Sequence, residues 1–421
     1  MAMRTVNSVR LSWMGLLLIT AVFGDAPPLL RRVTVQEVLP SQPVRASWPT
    51  QRPTFWQNEG RLFYQDGHHG ARIRALGPDS FDSLWTWSQP GRFVEFVAAA
   101  EKTLFIRTSE GPSEIVALRV ETGDSVWSTP IDDYGRGNST PADRVAIAAD
   151  DRIMLCGWET LTAFSLDTGA KLFTHRYHLQ EGEGVLRTDP SSPSSPKDNR
   201  DAKLIWGIDE RLFGVDPGTG AILWEFTPKP ELRKLGAYDG YVGFGNEIEE
   251  PVDGVAIFAF SHKWIGSILV CVDVKSRSVK WSFSCSGIDA FRRDGDAVYV
   301  SGSADGTRVW CLDLKTGNLR WRSNASGAAF TPFAVSNNVV YCCGAKFHPE
   351  TAGGYLYAIS KKTGALLWCD HLPAPTSNAP VLLDGRVYVL SPRTEEISDH
   401  NGVIQVYADS PQGYTAPTRA R

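Results

Sequence analysis

The residues best suited to chemistry are cysteines and histidines, and each is read against the backbone it would need. Cys342 and Cys343 are adjacent. A disulfide between neighbours would make a redox ring, but it needs a strained, non-strand backbone. The pair ends the run Val339-Val340-Tyr341, and successive side chains of a strand face opposite ways, so both are expected as strand residues. Cys271 and Cys311 occupy equivalent places in a repeat and read as small core residues. His68-His69 follows Asp66-Gly67 and precedes Gly70, which reads as a turn. A metal there would need ligands from distant segments. The same holds for His175 and His178. No convergent set of carboxylates and carbonyls marks a calcium site. No Ser/His/Asp signature or phosphate-binding glycine loop occurs. Seven cysteines without a CxxC pair remove zinc ribbons, thioredoxin-type motifs and c-type haem. No catalytic, cofactor-binding or metal residue is assigned. Asn138-Ser-Thr140 and Asn324-Ala-Ser326 are glycosylation sequons, relevant only in a eukaryotic exporting cell.

The elements that carry these residues repeat. A small residue, an aliphatic residue, a polar stretch ending in Gly, three more residues and an aromatic recur. The pattern reads Ala117-Leu-Arg-Val-Glu-Thr-Gly-Asp-Ser-Val-Trp127, then Ala163 to Phe173, Gly214 to Trp224, Cys311 to Trp321 and Ala358 to Trp368. Two copies are worn: Ala75 to Trp85 has Phe81 where Gly is expected, and Cys271 to Trp281 has Arg277. The aromatics are 40 to 57 residues apart, the period of a stacked or radial array. Val298-Tyr-Val300 and Val387-Tyr-Val-Leu390 read as strands, with hairpin turns at Asp294-Gly295 and Asp384-Gly385 just upstream. Gly123, Gly169, Gly220, Gly317 and Gly364 supply positive φ in a second turn. Four antiparallel strands per unit of this length make a propeller blade. The small first position is never bulky, so a large indole in the motif can lie against a neighbouring blade's backbone, with its N–H seeking an acceptor. Trp85, Trp127, Phe173, Trp224, Trp281, Trp321 and Trp368 are therefore structural docking residues.

The motif resembles the tryptophan-docking repeat of the pyrroloquinoline-quinone (PQQ) dehydrogenase-like propellers. The resemblance covers nearly the whole mature chain and implies an eight-bladed ring. It implies two branches of function: quinoprotein dehydrogenases, which use PQQ with calcium, and binding propellers such as the lipoprotein subunit of the bacterial outer-membrane assembly machinery. Some of the dehydrogenases carry an adjacent-cysteine disulfide beside the quinone, the role Cys342-Cys343 would have there. Fold alone does not choose between the branches.

The N-terminus carries an address. Arg4 and Arg10 precede an apolar run from Leu11 to Gly24, the length of a signal-peptide core and too short for a comfortable membrane span. Cleavage is expected after Gly24, and no Cys near it offers a lipid anchor. Residues 25–43 form an N-terminal segment, 44–410 the propeller and 411–421 a tail. Seven motifs are recognisable and the eighth stops after Gly402-Val-Ile-Gln-Val-Tyr-Ala408. Val44-Arg-Ala-Ser-Trp48 is expected to close the ring as the outer strand of the last blade, with Trp48 as the eighth docking residue.

The formal net charge of -4, from 43 basic and 47 acidic residues, comes without basic blocks and argues against nucleic acid as partner. Two insertions, Glu181 to Lys203 and the acidic Phe244 to Gly254, account for the longest spacings, and end loops are where propeller partners dock. The expected protein is all-β, an eight-bladed β-propeller of four-stranded antiparallel blades. It is exported to the periplasm or beyond, monomeric and without a membrane span in the mature chain. It binds or scaffolds proteins through its end loops and uses no cofactor. The alternative is a PQQ- and calcium-dependent alcohol or sugar dehydrogenase, a branch whose members are longer because inserted loops surround the quinone.

Overall fold

The computed structural model describes residues 29–35 and most of residues 54–410. Residues 1–28, 36–53 and 411–421 lie outside the described residues. So do 66–71, 132–144, 180–185, 189–201, 235–241, 303–307, 347–352, 393–401 and some shorter stretches. The described strands form eight sheets with antiparallel pairing. From the inner to the outer strand, sheet 1 is Thr54–Asn58, Arg61–Gln65, Arg72–Leu76 and Ser83–Ser88. Sheet 2 is Phe93–Ala100, Thr103–Ser109, Glu114–Arg119 and Ser125–Pro130. Sheet 3 is Val145–Ala149, Arg152–Cys156, Thr160–Ser165 and Lys171–Leu179, with Leu186–Thr188 added outside. Sheet 4 is Glu247–Glu249, Leu204–Ile208, Arg211–Val215 and Ile222–Phe226, and sheet 5 is Val242–Gly243, Val255–His262, Gly266–Asp273 and Ser278–Cys285. Sheet 6 is Ala290–Asp294, Ala297–Gly302, Arg308–Asp313 and Leu319–Arg322. Sheet 7 is Ala328–Phe330, Val339–Lys346, Gly353–Ser360 and Leu366–Leu372, with Ala334–Val335 also paired to Val339–Lys346, and sheet 8 is Val381–Leu383, Arg386–Pro392, Gly402–Ala408 and Leu29–Val35.

The hairpins follow from local chemistry. Glu59-Gly60, Asp253-Gly254 and Asp384-Gly385 each place two consecutive residues at positive φ, the conformation that matches the twist of the flanking strands. In sheet 6, Asp294 pairs with Ala297, so the turn is Gly295-Asp296, one residue later than expected, with Gly295 at φ 56.

The cores run between sheets, not within them. Sheets 1 and 2 share a buried apolar cluster containing Phe63, Val94 and Leu104. Further clusters join 2 to 3, 3 to 4, 4 to 5, 5 to 6, 6 to 7 and 7 to 8. The last joins Tyr388, Leu390 and Ile404 of sheet 8 to Phe55, Leu62 and Tyr64 of sheet 1. The succession of cores therefore returns to its start. Strand alternation makes this possible, since each middle strand presents one apolar face to each neighbour.

The closing strand differs from the sequence reading. Leu29–Val35 pairs antiparallel with Gly402–Ala408, from Leu29 opposite Tyr407 to Val35 opposite Gly402. Gly402–Ala408 pairs on its other side with Arg386–Pro392, so both its edges are filled. The position expected for Val44–Trp48 is therefore taken by an earlier segment of 25–43, and Trp48 itself lies outside the described residues. The expected cleavage after Gly24 also lies outside them. Among the described residues no helix is long and apolar enough to cross a membrane.

Candidate functional site

The repeat motif builds the seams between sheets. Its small first residue is the cross-strand partner of its aromatic: Ala75 faces Trp85, Ala117 faces Trp127, Cys271 faces Trp281, Cys311 faces Trp321 and Ala358 faces Trp368. A register shift follows each small residue directly, and such a bulge re-aims the strand. Each indole crosses to the next sheet and donates its N–H to a backbone carbonyl there. The acceptors are Val120 for Trp85 (3.0 Å), Leu166 for Trp127 (2.7 Å), Leu314 for Trp281 (2.8 Å), Lys361 for Trp321 (3.0 Å) and Ser410 for Trp368 (3.2 Å). The ring lies on the next turn's glycine. A Cβ on Gly123 would come within 2.5 Å of Trp85, and one on Gly317 within 2.5 Å of Trp281. Gly169 stands likewise against Trp127, Gly220 against Phe173, and Gly364 against Trp321.

Two seams depart from this rule, where the motif is worn. Arg277 holds the turn at φ 54 without being glycine, and its Cβ leaves no room for an indole. Trp224 of the preceding sheet instead lies over Gly214 of its own sheet, with the Arg277 guanidinium 6.0 Å from its ring centre. Gly214 replaces the usual Ala or Cys because a Cβ there would run into the indole. At the other seam Phe81 holds φ 61 and meets Tyr388 edge-on at 6.1 Å. Arg386 pairs with Asp79 at 2.6 Å beside it.

The cysteines are placed as strand residues. Cys342 pairs across with Tyr357 and Cys343 with Leu356. Cys342 enters the core between sheets 6 and 7, Cys343 the core between sheets 7 and 8. Both thiols are free and fully buried, and burial pushes both well up from the ordinary thiol range. Cys271 and Cys311 are buried and in no disulfide, and burial pushes the Cys311 thiol up to about 11. His175 sits beside Phe173 on the next sheet's turn, its Nε2 2.8 Å from the Thr219 carbonyl oxygen, a structural contact. His68 and His69 lie outside the described residues, as does the side chain of His178. A PQQ and calcium site needs an oxygen-rich cage and cations facing the quinone's carboxylates. Among the described residues no group of three or more His, Cys, Asp or Glu is placed to hold a metal. The two adjacent cysteines face different cores and frame no common space.

The two ends of the sheets differ. First-to-second and third-to-fourth connections fall at one end, which carries the short Asp-Gly and Thr-Gly turns. At this turn end Arg320 pairs with Asp296 at 2.7 Å and Asp313 at 2.6 Å, which, with Thr316, holds the Asp313 carboxyl at about 2. The long connections 36–53, 131–144, 227–241, 373–380 and 393–401 join strand ends at the other, loop end, whereas 189–203 leads into Leu204, which pairs with Val215 at the turn end. One insertion is more than a loop. Glu247–Glu249 lies along Ile205–Gly207 as the inner strand of sheet 4, while Val242–Gly243 pairs with Ser261–His262 of sheet 5. One inward-lying segment thus serves two sheets. Its acidic composition hid it, since Glu is depleted in strands; the β-branched Ile248 between two Glu was the available signal.

The sequence matches the family described as "Outer membrane protein assembly factor BamB" over residues 69–323 and 317–410. The chain belongs to this family of PQQ-like repeat β-propellers. A search of curated proteins finds no match. Among solved structures, BamB from Moraxella catarrhalis is 14% identical, with a TM-score of 0.53, covering 89% of this chain and 97% of that one. A quinohemoprotein alcohol dehydrogenase from Comamonas testosteroni is 12% identical, with a TM-score of 0.57, covering 89% of this chain and 76% of that one. Another, from Pseudomonas putida HK5, is 10% identical, with a TM-score of 0.53, covering 91% and 80%. These likenesses establish the propeller fold on which the family's repeat is displayed.

Proposed function

We propose that this chain is an exported, monomeric, eight-bladed ring, closed by Leu29–Val35, that binds or scaffolds other proteins at the cell envelope and performs no chemistry of its own. The observation that carries this reading is the asymmetry of the two ends. Five long connections lie at the loop end, against one, 189–203, that enters the turn end at Leu204, and variable segments on a rigid scaffold make binding surfaces. Two further points bear on it. The chain spans 97% of the BamB structure and 76% and 80% of the two quinohemoprotein alcohol dehydrogenases, against 93% of a europium-containing methanol dehydrogenase. The repeat residues that looked chemical are occupied in the seams. Docking indoles and turn glycines hold neighbouring blades, so the ring is a rigid platform and not itself the recognition element.

The test is a photo-crosslinking residue placed singly at Arg72 or Arg308, which begin third strands at the loop end, or at Lys315 or Lys362, exposed in turns at the other end. Protein adducts formed in the native envelope from the first pair and not the second support the reading. Adducts from the turn end alone refute it. Reconstitution with PQQ and calcium gives no quinone absorbance and no dye-linked alcohol oxidation. Stoichiometric PQQ binding with turnover would establish the PQQ-dependent dehydrogenase instead.

A further inference from the structure

Among the described residues, six of the eight seams between sheets carry an aromatic ring docked onto the next sheet. Trp85, Trp127 and Phe173 close the seams from sheet 1 to sheet 4, each lying on the glycine of the next turn. Trp281 and Trp321 do the same from sheet 5 to sheet 7, and Trp368 donates to the Ser410 carbonyl beyond the third strand of sheet 8 at 3.2 Å. The two other seams have no ring docked forward. Between sheets 4 and 5, Trp224 turns back over Gly214 of its own sheet. Between sheets 8 and 1, the outer strand Leu29–Val35 holds no aromatic. These two seams lie opposite each other in the succession of cores, so they divide the eight sheets into sheets 1–4 and sheets 5–8, each half closed internally by three docked rings.

Polar contacts across the seams follow the same division. Within the first half, Gln65 donates to the Val94 carbonyl and accepts from the Phe96 N–H, both at 2.9 Å. The Thr129 hydroxyl donates to the Gly169 carbonyl at 2.6 Å, and Arg152 reaches the carbonyls of Pro217 and Gly218 at 2.8 and 2.9 Å. Within the second half, Arg292 donates to the Phe333 carbonyl at 2.8 Å, and Lys361 pairs with Asp294 at 2.6 Å. Tyr341 of sheet 7 donates to Asp409 at 2.7 Å while Tyr407 of sheet 8 donates back to Asp370 at 2.8 Å. Between sheets 8 and 1 the ties are weaker. Arg386 and Asp79 pair at 2.6 Å but are 40% and 81% exposed, and the Tyr388 hydroxyl reaches the Pro78 carbonyl at 3.4 Å. So exposed an ion pair holds little.

The opposite seam is tied on its inner side. The segment that gives Val242–Gly243 to sheet 5 gives Glu247–Glu249 to sheet 4. Leu232, from the short helix Lys229–Lys234, joins Trp224 and Phe258 in the core there. A seam tied within and undocked without can bend, as a hinge between rigid bodies does. We propose that the protein is two four-sheet halves that move as units, flexing at the seam between sheets 4 and 5 and parting at the seam between sheets 8 and 1 ahead of the six docked seams. Parting breaks no strand pairing, because Leu29–Val35 stays with sheet 8 and Glu247–Glu249 with sheet 4. This motion belongs to the frame itself and does not rest on the protein-binding reading.

The natural cysteines report on docked seams. Cys271 is fully buried between sheets 5 and 6, Cys342 between 6 and 7, and Cys343 between 7 and 8. Val406→Cys places a thiol in the core between sheets 8 and 1, Val270→Cys in that between 4 and 5, and Val298→Cys in the docked seam between 5 and 6. Each full-length variant is treated with iodoacetamide in urea below its unfolding transition, and every site is followed by peptide mass spectrometry. Labelling of a buried thiol reads the opening that exposes it. Val406→Cys is expected to label at least about ten-fold faster than Cys271, Cys342 and Cys343 of the same molecules. Val298→Cys labels with the natural thiols, showing that the substitution alone opens no seam. Because each comparison is made within one molecule, a general loss of stability speeds every thiol alike and leaves the ratios readable. Equal rates at all sites, a Val298→Cys as fast as Val406→Cys, or a natural thiol ahead of Val406→Cys overturns the proposal. Faster labelling of Val270→Cys than of Val406→Cys overturns it too, since hinge and mouth would then be exchanged.

Discussion

The seam between sheets 5 and 6 allows the docking contact to be separated from the backbone strain that accompanies it. Gly317 sits at φ 71, and a Cβ there would come within 2.5 Å of Trp281 Cγ and 2.6 Å of Cδ2. Gly317→Ala thus carries two costs: about 1–2 kcal/mol for an L-residue held left-handed, and about 1–3 kcal/mol for the overpacked indole. Gly295, at φ 56 in the same sheet, has nothing within 4 Å of an added Cβ, so Gly295→Ala carries only the first. Trp281 is 7% exposed and donates to the Leu314 carbonyl at 2.8 Å, so Trp281→Ala costs about 3–5 kcal/mol. With Trp281 removed, Gly317→Ala falls to the strain alone, about 1–2 kcal/mol. The four variants form a double-mutant cycle with a coupling of about 1–3 kcal/mol, measured by urea unfolding followed by circular dichroism. If Gly317→Ala costs no more than Gly295→Ala, or costs the same with and without Trp281, the indole does not rest on that glycine and the docking argument fails.

Gly214→Ala is expected to destabilise by about 1–3 kcal/mol although Ala or Cys fills this place in the other motifs; a neutral or stabilising result in the same unfolding assay would show that Trp224 docks forward as the others do. Arg277→Gly relieves left-handed strain of about 1–2 kcal/mol and adds unfolded-state freedom of about 0.4–1 kcal/mol, so a net gain of about 0–1.6 kcal/mol is expected, and a net loss would show that the guanidinium over Trp224 dominates. Native protein treated with iodoacetamide at pH 8 keeps Cys342 and Cys343 unlabelled, and unfolding without reductant labels both; a mass two units short with neither labelled would reveal a disulfide and refute the strand placement. Arg320 and Thr316 hold the Asp313 carboxyl down at about 2, so its contribution is complete above the unfolded value near 4 and is lost as pH falls towards 2. Asp313→Asn flattens the melting temperature over that acid window and leaves its slope above pH 5 unchanged.

Much of the fold was legible because one motif states it repeatedly. The small residue, the Thr-Gly turn and the aromatic encode a pairing, a left-handed turn and a seam contact, all of them local in sequence or at a fixed spacing. What was not legible was pairing across long separations between segments of weak propensity. Glu247–Glu249 is acidic and short, and nothing in its composition says that it skips back to sheet 4. The closing strand was sought by its docking aromatic, which favoured Trp48. The strand that closes sheet 8 is Leu29-Leu-Arg-Arg-Val-Thr-Val35, recognisable by β-branched and aliphatic residues but lacking an aromatic.

That absence has a structural counterpart within the last motif. In the other motifs the third strand offers a small residue and the fourth strand an aromatic. In sheet 8 the place of the small residue is held by Val406, which pairs with Tyr388 as Ala358 pairs with Tyr341. Tyr407 is fully buried, lies 5.8 Å from Trp368, and donates its hydroxyl to Asp370 at 2.8 Å. Tyr407 faces the backward core with Trp368, while Val406 faces the forward core with Tyr388 and Ile404. On the forward side, Phe81 replaces the glycine that would have received an indole, and its ring meets Tyr388. The worn turn at Phe81 and the missing aromatic in Leu29–Val35 are therefore one substitution written in two places. A docking indole was exchanged for an aromatic supplied by the receiving sheet. Sheets 4 and 5 show the same logic with Gly214, Trp224 and Arg277. Where the repeat breaks, the partner residue across the seam breaks with it, so departures from the motif locate the contacts as surely as its copies do.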